Sequence, residues 1–224
     1  MSAWAGALPA DPRGDPMVEA GSAELRTRLR RAVLVVAALN LSYFFVEVSV
    51  ALSIGSVSLF ADSVDFLEDT AINLLIFIAL GWSLRSQSIA GKVMAGVILV
   101  PALAAAWEAF SKFGDPVPPS PYALILTAGG AALVNLACSL VLARFRHHES
   151  SMARAAFLSA RNDVVVNLAI IAVGLVTLWT ASGWPDLVLG LIIIVLNVSA
   201  AKVVWQVSEE ERLAAKALAG EEID

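Results

Sequence analysis

This chain has little of what water-soluble proteins carry in quantity. Only 16% of its 224 residues are charged, where an ordinary globular domain has about a quarter. Hydrophobic residues make up 58%, and the mean hydropathy is +0.78. That apolar surplus cannot be hidden in one water-soluble core, which excludes a soluble fold and leaves an integral membrane protein. Cysteine is nearly absent. The single Cys138, inside an apolar run, excludes an intrachain disulfide and a thiolate metal cluster; it reads as a small residue for helix packing. Periodicity is missing from residues 1–24, which are rich in Ala, Gly, Pro and Asp and are expected to form a disordered leader. A signal peptide is not expected either, because the basic cluster Arg26–Arg31 precedes a full-length apolar span with no convincing cleavage site.

What is present is six apolar segments, near 32–54, 57–83, 91–111, 121–143, 152–180 and 186–206. Each can cross roughly 30 Å of hydrocarbon as a helix rising about 1.5 Å per residue. Irregular backbone cannot face lipid, so the expected fold is all-α, a six-transmembrane-helix bundle. The expected connections are Gly55-Ser56 and the stretches 83–90, 112–120, 143–151 and 181–186. Residues 25–206 form the transmembrane domain in this reading. Residues 207–224 form a short charged cytoplasmic tail, a helix that frays.

Positive charge is missing from one side of this layout. Of 15 Lys and Arg, only Lys112 falls in a loop there, whereas Arg26, Arg28, Arg30, Arg31, Arg85, Lys92, Arg144, Arg146, Arg154, Lys202, Arg212 and Lys216 fall on the other. The positive-inside rule then places both termini in the cytoplasm of a multi-pass cell-membrane protein. Trp82, Trp107, Trp179, Trp184 and Trp205 lie near span ends, as an interfacial aromatic belt requires.

Carboxylates interrupt this apolar pattern at depth. The second span carries Asp62, Asp65, Glu68 and Asp69, followed by Asn73, with no Lys or Arg to neutralise them. Asp62, Asp65 and Asp69 fall at i, i+3 and i+7, hence on one helical face. A charged residue at the bilayer centre costs at least about 2.5 kcal/mol, so acids retained there read as functional. Asp65 and Asp69, one turn apart, can both reach one cation; Asp62 and Glu68 read as supporting or proton-coupling groups. In the fifth span Ser159, Asn162, Asp163 and Asn167 follow the i, i+3, i+4, i+8 pattern, and Asp163 sits at a depth matching Asp65 and Asp69. Two helices bringing carboxylates to one depth make a buried cation site. Arg161 points elsewhere, to snorkel toward the cytoplasmic interface or to pair with Glu68. In the first span Asn40, Tyr43 and Glu47 repeat the i, i+3, i+7 spacing. Glu47 reads as a proton carrier or supporting partner, and Asn40 as a supporting amide or interhelical glue, the role also assigned to Asn135 and Asn197. Asp186, after Pro185, reads as an acid that favours its own helix N-terminus. His147 and His148 read as a solvated loop or a metal-capturing pair.

The stretch Gly55-Ser-Val-Ser-Leu-Phe-Ala-Asp-Ser-Val-Asp65-Phe-Leu-Glu-Asp69 resembles the second transmembrane helix of cation diffusion facilitators, whose motif is His or Asp, three residues, then Asp. Asp163-Val-Val-Val-Asn167 resembles the matching part of their fifth helix, and the likeness covers roughly residues 30–206. The resemblance implies export of a divalent metal from the cytoplasm, driven by inward proton movement, through a tetrahedral site shared by helices two and five in a homodimer. Asp65, Asp69 and Asp163 match three of the four ligand positions. Ser159 stands at the fourth, where the family has His or Asp, so Asn162 or a water would complete the shell. A neutral hydroxyl is a poor zinc ligand beside imidazole, and an all-oxygen set shifts preference toward harder ions such as manganese. Zinc, manganese, cadmium, cobalt, nickel and iron are the candidate cargoes. The family's cytoplasmic C-terminal domain is expected to be absent, making this a short form. The partners are the lipid bilayer, divalent metal ions and protons, with no resident cofactor, no enzymatic activity and no nucleic acid. A cation channel or importer using the same acids is the competing reading, and a non-transporting metal sensor or scaffold is another.

Overall fold

In the computed structural model, residues 16–79, 84–145 and 151–219 are described. They form six helices: α1 (Pro16–Ile54), α2 (Val57–Ala79), α3 (Leu84–Lys112), α4 (Pro121–Ala143), α5 (Ser151–Thr180) and α6 (Trp184–Ala219). Four meet the length and hydropathy of a membrane span on composition alone: Glu24–Ile54, Ala95–Lys112, Pro121–Ala143 and Ala156–Thr180. The apolar part of α6 is Trp184–Ser199, and α2 has 23 residues but interrupts its apolar run with four acids. The protein is thus an all-α membrane bundle, with each helix antiparallel to the next.

Several boundaries depart from the sequence pattern. α1 begins at Pro16, inside the stretch expected to be disordered. Proline suits the first helical turn, where its missing N–H has no intrahelical partner. α3 begins at Leu84 rather than after a polar loop reaching 90. α6 runs unbroken to Ala219 instead of fraying after 206. Its extension is tied down because Glu209 binds Lys92 of α3 at 2.5 Å and also pairs with Arg212. At 39 and 36 residues, α1 and α6 are about 58 and 54 Å long. Both therefore project well past a hydrocarbon layer of about 30 Å at the end of the bundle bearing the termini. Trp107, Trp179, Trp184 and Trp205 are all exposed, consistent with the aromatic belt. Trp82, His147 and His148 lie outside the described residues.

The opposite end of the bundle is closed by the α1–α2 turn. Gly55, at φ 66°, adopts the left-handed conformation that lets Ser56 N–H reach back to Ala51 O at 3.1 Å, a Schellman stop for α1. Ser56 then starts α2, its Oγ accepting from Leu59 N–H at 3.1 Å. Lys112 donates to Gly55 O at 2.5 Å and pairs with Glu108 at 2.6 Å. The lone basic residue on this side is thus engaged in locking the turn.

Apolar packing separates into two larger masses and a small third one of Val64, Ala71, Ile98 and Ala102. One of the larger two lies toward the α1–α2 turn and includes Val57, Leu59, Phe60, Ala105, Leu124, Ile170, Leu187 and Ile193. The other lies toward the termini and includes Leu29, Val33, Val36, Ile76, Cys138, Leu142 and Ala160. Between them, α1, α2 and α5 bury a polar layer: Asn40, Glu47, Asp62, Asp69, Asn73 and Asn167 are all at most 3% exposed. Small residues allow close helix approach above that layer. At Gly190 of α6 an added Cβ would stand 2.6 Å from Val57 Cγ1 and 2.8 Å from Ser58 N, so only glycine fits there.

Candidate metal centre

Because α2 runs antiparallel to both α1 and α5, the acidic stripe of α2 meets a polar residue from each neighbour turn by turn, like rungs. On the rung nearest the termini, Asp69 is buried between α1 and α5. Ser159 Oγ donates to Asp69 Oδ1 at 2.9 Å, and Asn40 Nδ2 donates to Asp69 Oδ2 at 3.4 Å. Asn40 is itself held in place, its Oδ1 accepting from Cys138 Sγ at 3.6 Å. Asn73 Nδ2 donates to the backbone carbonyl of Asp69 at 2.8 Å. Both oxygens of this carboxylate are therefore oriented before any ion arrives.

One turn along α2 is Asp65, and one turn along α5 is Asp163. Both are partly accessible, and Asp163 is the strongest charged neighbour of Asp65. Here α1 contributes no acid, since Tyr43 packs its ring against Phe66 (centroids 5.1 Å apart) and donates its hydroxyl to Thr127 O at 2.7 Å. On the third rung, nearest the α1–α2 turn, Asp62 faces Glu47 of α1 and Asn167 of α5. All three are fully buried.

Among the described residues, no three His, Cys, Asp or Glu side chains converge closely enough to share one ion. The geometry offers pairs instead: Asp69 with Ser159 on the first rung, Asp65 with Asp163 on the second. A cation taken between those two rungs would have only oxygen donors, three of them carboxylates about one helical turn apart.

The chain has counterparts among known proteins. Residues 33–208 match the cation efflux transmembrane domain. The chain belongs to the cation efflux family. Among curated relatives is the zinc transporter ZitB of Escherichia coli strain K12, 26% identical over 186 residues covering 76% of this chain and 58% of that protein. The zinc transporter ZitB of Shigella flexneri matches over the same shares and with the same identity. The chain thus spans under two thirds of the length of these relatives.

Within this cation efflux domain, the remaining expected residues separate into those brought to the site and those left outside it. Ser159, expected as a weak ligand, is present as the donor that orients Asp69. Asn167 faces Asp62, and its Nδ2 donates to Asp163 O at 2.8 Å. Glu68 is partly buried beside Asp69 but turned off the stripe. Asn162 is exposed on α5, away from the face that meets α2. Each helical residue turns about 100°, so Asn162 and Asn167 sit at opposite edges of a wide wedge, and only the Asn167 side points inward. Arg161 is exposed, and among the described residues no ion pair joins it to Glu68.

Asp186 has a role that the sequence did not suggest. It stands in the first turn of its own helix, as expected, but its carboxylate also reaches a second helix. It accepts from Val57 N–H at 2.7 Å, Ser58 N–H at 3.3 Å, and the hydroxyls of Ser56 and Ser58 at 2.6 Å each. It thereby caps α2, the helix that presents the acids. The signal available beforehand was the hydroxyl-rich start Ser56-Val57-Ser58, a helix beginning with donors to spare. Asn197 of α6 adds a second tie, Nδ2 to Ala61 O at 2.8 Å, the interhelical role expected of it.

Proposed function

We propose that the chain is a divalent metal cation transporter that exports metal from the cytoplasm in exchange for protons. The observation that carries this reading is the pairing of buried acids across α2 and α5. Asp69 is oriented by Ser159 and Asn40, and Asp65 lies opposite Asp163. Membership of the cation efflux family and likeness to proteins named as zinc transporters support it.

In this reading metal reaches Asp65, Asp69 and Asp163 from the end of the bundle that bears the termini and the basic residues, placed in the cytoplasm by the positive-inside rule. Carboxylates must be deprotonated to take a cation, so protons and metal compete for the same oxygens. Rocking of helices about this midplane site then exposes it to the other side, where protons displace the ion. Ser159 keeps Asp69 aimed and lends a hydroxyl oxygen, with water completing the shell. The all-oxygen donor set favours manganese relative to a site containing imidazole, while the relatives' names favour zinc. A homodimer in the cell membrane belongs to the same reading.

The test is transport by purified protein in liposomes, with zinc, cadmium, manganese, cobalt, nickel and iron supplied in turn and internal pH recorded. The expected result is saturable flux of zinc or manganese with an opposing proton flux. Metal flux without any pH change would identify a channel, and absence of flux for every ion would refute transport.

A further inference from the structure

The third rung contains something the transport cycle above does not use. Glu47 and Asp62 are both fully buried and face each other from α1 and α2. Neither oxygen of Glu47 and neither oxygen of Asp62 has a hydrogen-bond partner, and the same is true of Asn167 Oδ1. The carboxylates of α1 and α2 thus face each other beside the Asn167 side chain of α5, with no cationic side chain among them. The Tyr43 hydroxyl, one turn along α1 from Glu47, is already donated to Thr127 O, and α2 has no basic residue. A buried carboxylate without a partner costs several kcal/mol, and two facing each other cost more. Such a group of acceptors is stable only if something positive joins it.

We propose that Glu47, Asp62 and Asn167 form a second cation subsite, distinct from the Asp65–Asp69–Asp163 centre and one helical turn closer to the α1–α2 turn. Two carboxylates and an amide carbonyl make a compact all-oxygen donor set, suited to the divalent ion that the first centre takes and to hard ions above all. Asp62 lies about 4.5 Å along the helix from Asp65, so an ion can pass between the two subsites with a small displacement. The carboxylates of each subsite attract an ion, whereas two ions in adjacent subsites repel each other. Occupancy of the Asp65–Asp69–Asp163 centre therefore promotes release from the subsite nearer the α1–α2 turn, as in multi-site conduction. The subsite rests on the reading of the chain as a divalent metal transporter.

The test counts ions bound to the purified full chain in detergent, by equilibrium dialysis with zinc and separately with manganese, followed by metal analysis. Wild type is expected to bind two ions per chain. Glu47→Gln and Asp62→Asn, both conservative and each checked for an unchanged thermal melt, are expected to bind one. Asp163→Asn is expected to lose the other ion and keep the one that Glu47→Gln removes. If wild type binds a single ion, lost in Asp163→Asn and retained in Glu47→Gln and Asp62→Asn, the subsite is refuted while the transporter reading stands. If wild type binds no ion, both fall. Infrared difference spectra of the metal-saturated protein supply a second readout. A protonated carboxyl band that persists at saturation and disappears in Asp62→Asn would show that a shared proton, not a metal, joins the pair, and would overturn the proposal.

Discussion

Two buried acids of this bundle, Asp186 of α6 and Asp62 of α2, stand near the start of α2 and have opposite surroundings. Asp186 accepts from two backbone N–H groups and two hydroxyls, and every oxygen is accounted for. Asp62, with Glu47 beside it, accepts from nothing. Burial alone therefore says little about what an acid does in a membrane. An acid saturated by fixed donors is part of the scaffold, since its charge is already stabilised. An acid lacking donors is held ready for a mobile cation, and the structure bears its cost in the absence of that cation. Asp69 lies between the extremes, with one donor for each oxygen and room for more.

The comparison breaks most easily at Asp186. Asp186→Ala leaves two N–H groups and two hydroxyls buried at the start of α2, which is expected to cost about 3 kcal/mol or more. Thermal unfolding in detergent should show a large drop in melting temperature, with Asp186→Asn in between; an unchanged melt would mean that the cap is not what holds α2. Glu47→Gln and Asp62→Asn should act the other way, leaving the melt unchanged or raising it, because each removes a charge that has no donor. A fall as large as that of Asp186→Ala would place these acids in the scaffold too.

Smaller effects sharpen the intermediate case. Ser159→Ala removes the hydroxyl that orients Asp69 and should cost about 1 kcal/mol. Ser159→His, which supplies an imidazole to the same rung, should tighten zinc relative to manganese by roughly tenfold, read by competition binding. The least effect is expected outside the membrane. Hydrogen bonds from Arg212 and then Lys92 hold the Glu209 carboxyl below its ordinary value of 4.5. A depressed carboxylate contributes its stabilisation above that ordinary value and loses it only as pH falls through the lower folded value. Melting temperatures of wild type and Lys92→Ala, compared from pH 7 downward, should therefore differ slightly at pH 7 and converge only in acid well below pH 4.5.

Much of this was legible in the sequence because two simple periods govern it. Span length gave six helices, and the i, i+3, i+7 stripes of Asn40–Glu47 and Asp62–Asp69 mark the faces that meet. Helical spacing could not say which edge of a broad stripe faces inward, which is why Asn162 reads as a site residue and stands exposed instead. Nor could it see contacts between distant segments. The Asp186 cap joins residues some 130 positions apart, and the Lys92–Glu209 pair that steadies the α6 extension joins α3 to α6. Hydropathy also starts α1 too late and stops α6 too early, since a helix leaving the bilayer continues through charged sequence whenever its backbone bonds and local ion pairs support it.

The central claim is that the acids paired across α2 and α5 hold the transported ion, and zinc flux into proteoliposomes by Asp163→Asn and Asp69→Asn beside wild type tests it most directly. Both variants should insert, melt within a few degrees of wild type and lose at least about 99% of the flux, equivalent to roughly 3 kcal/mol or more of lost stabilisation. Flux near the wild-type rate in either well-folded variant would contradict the claim.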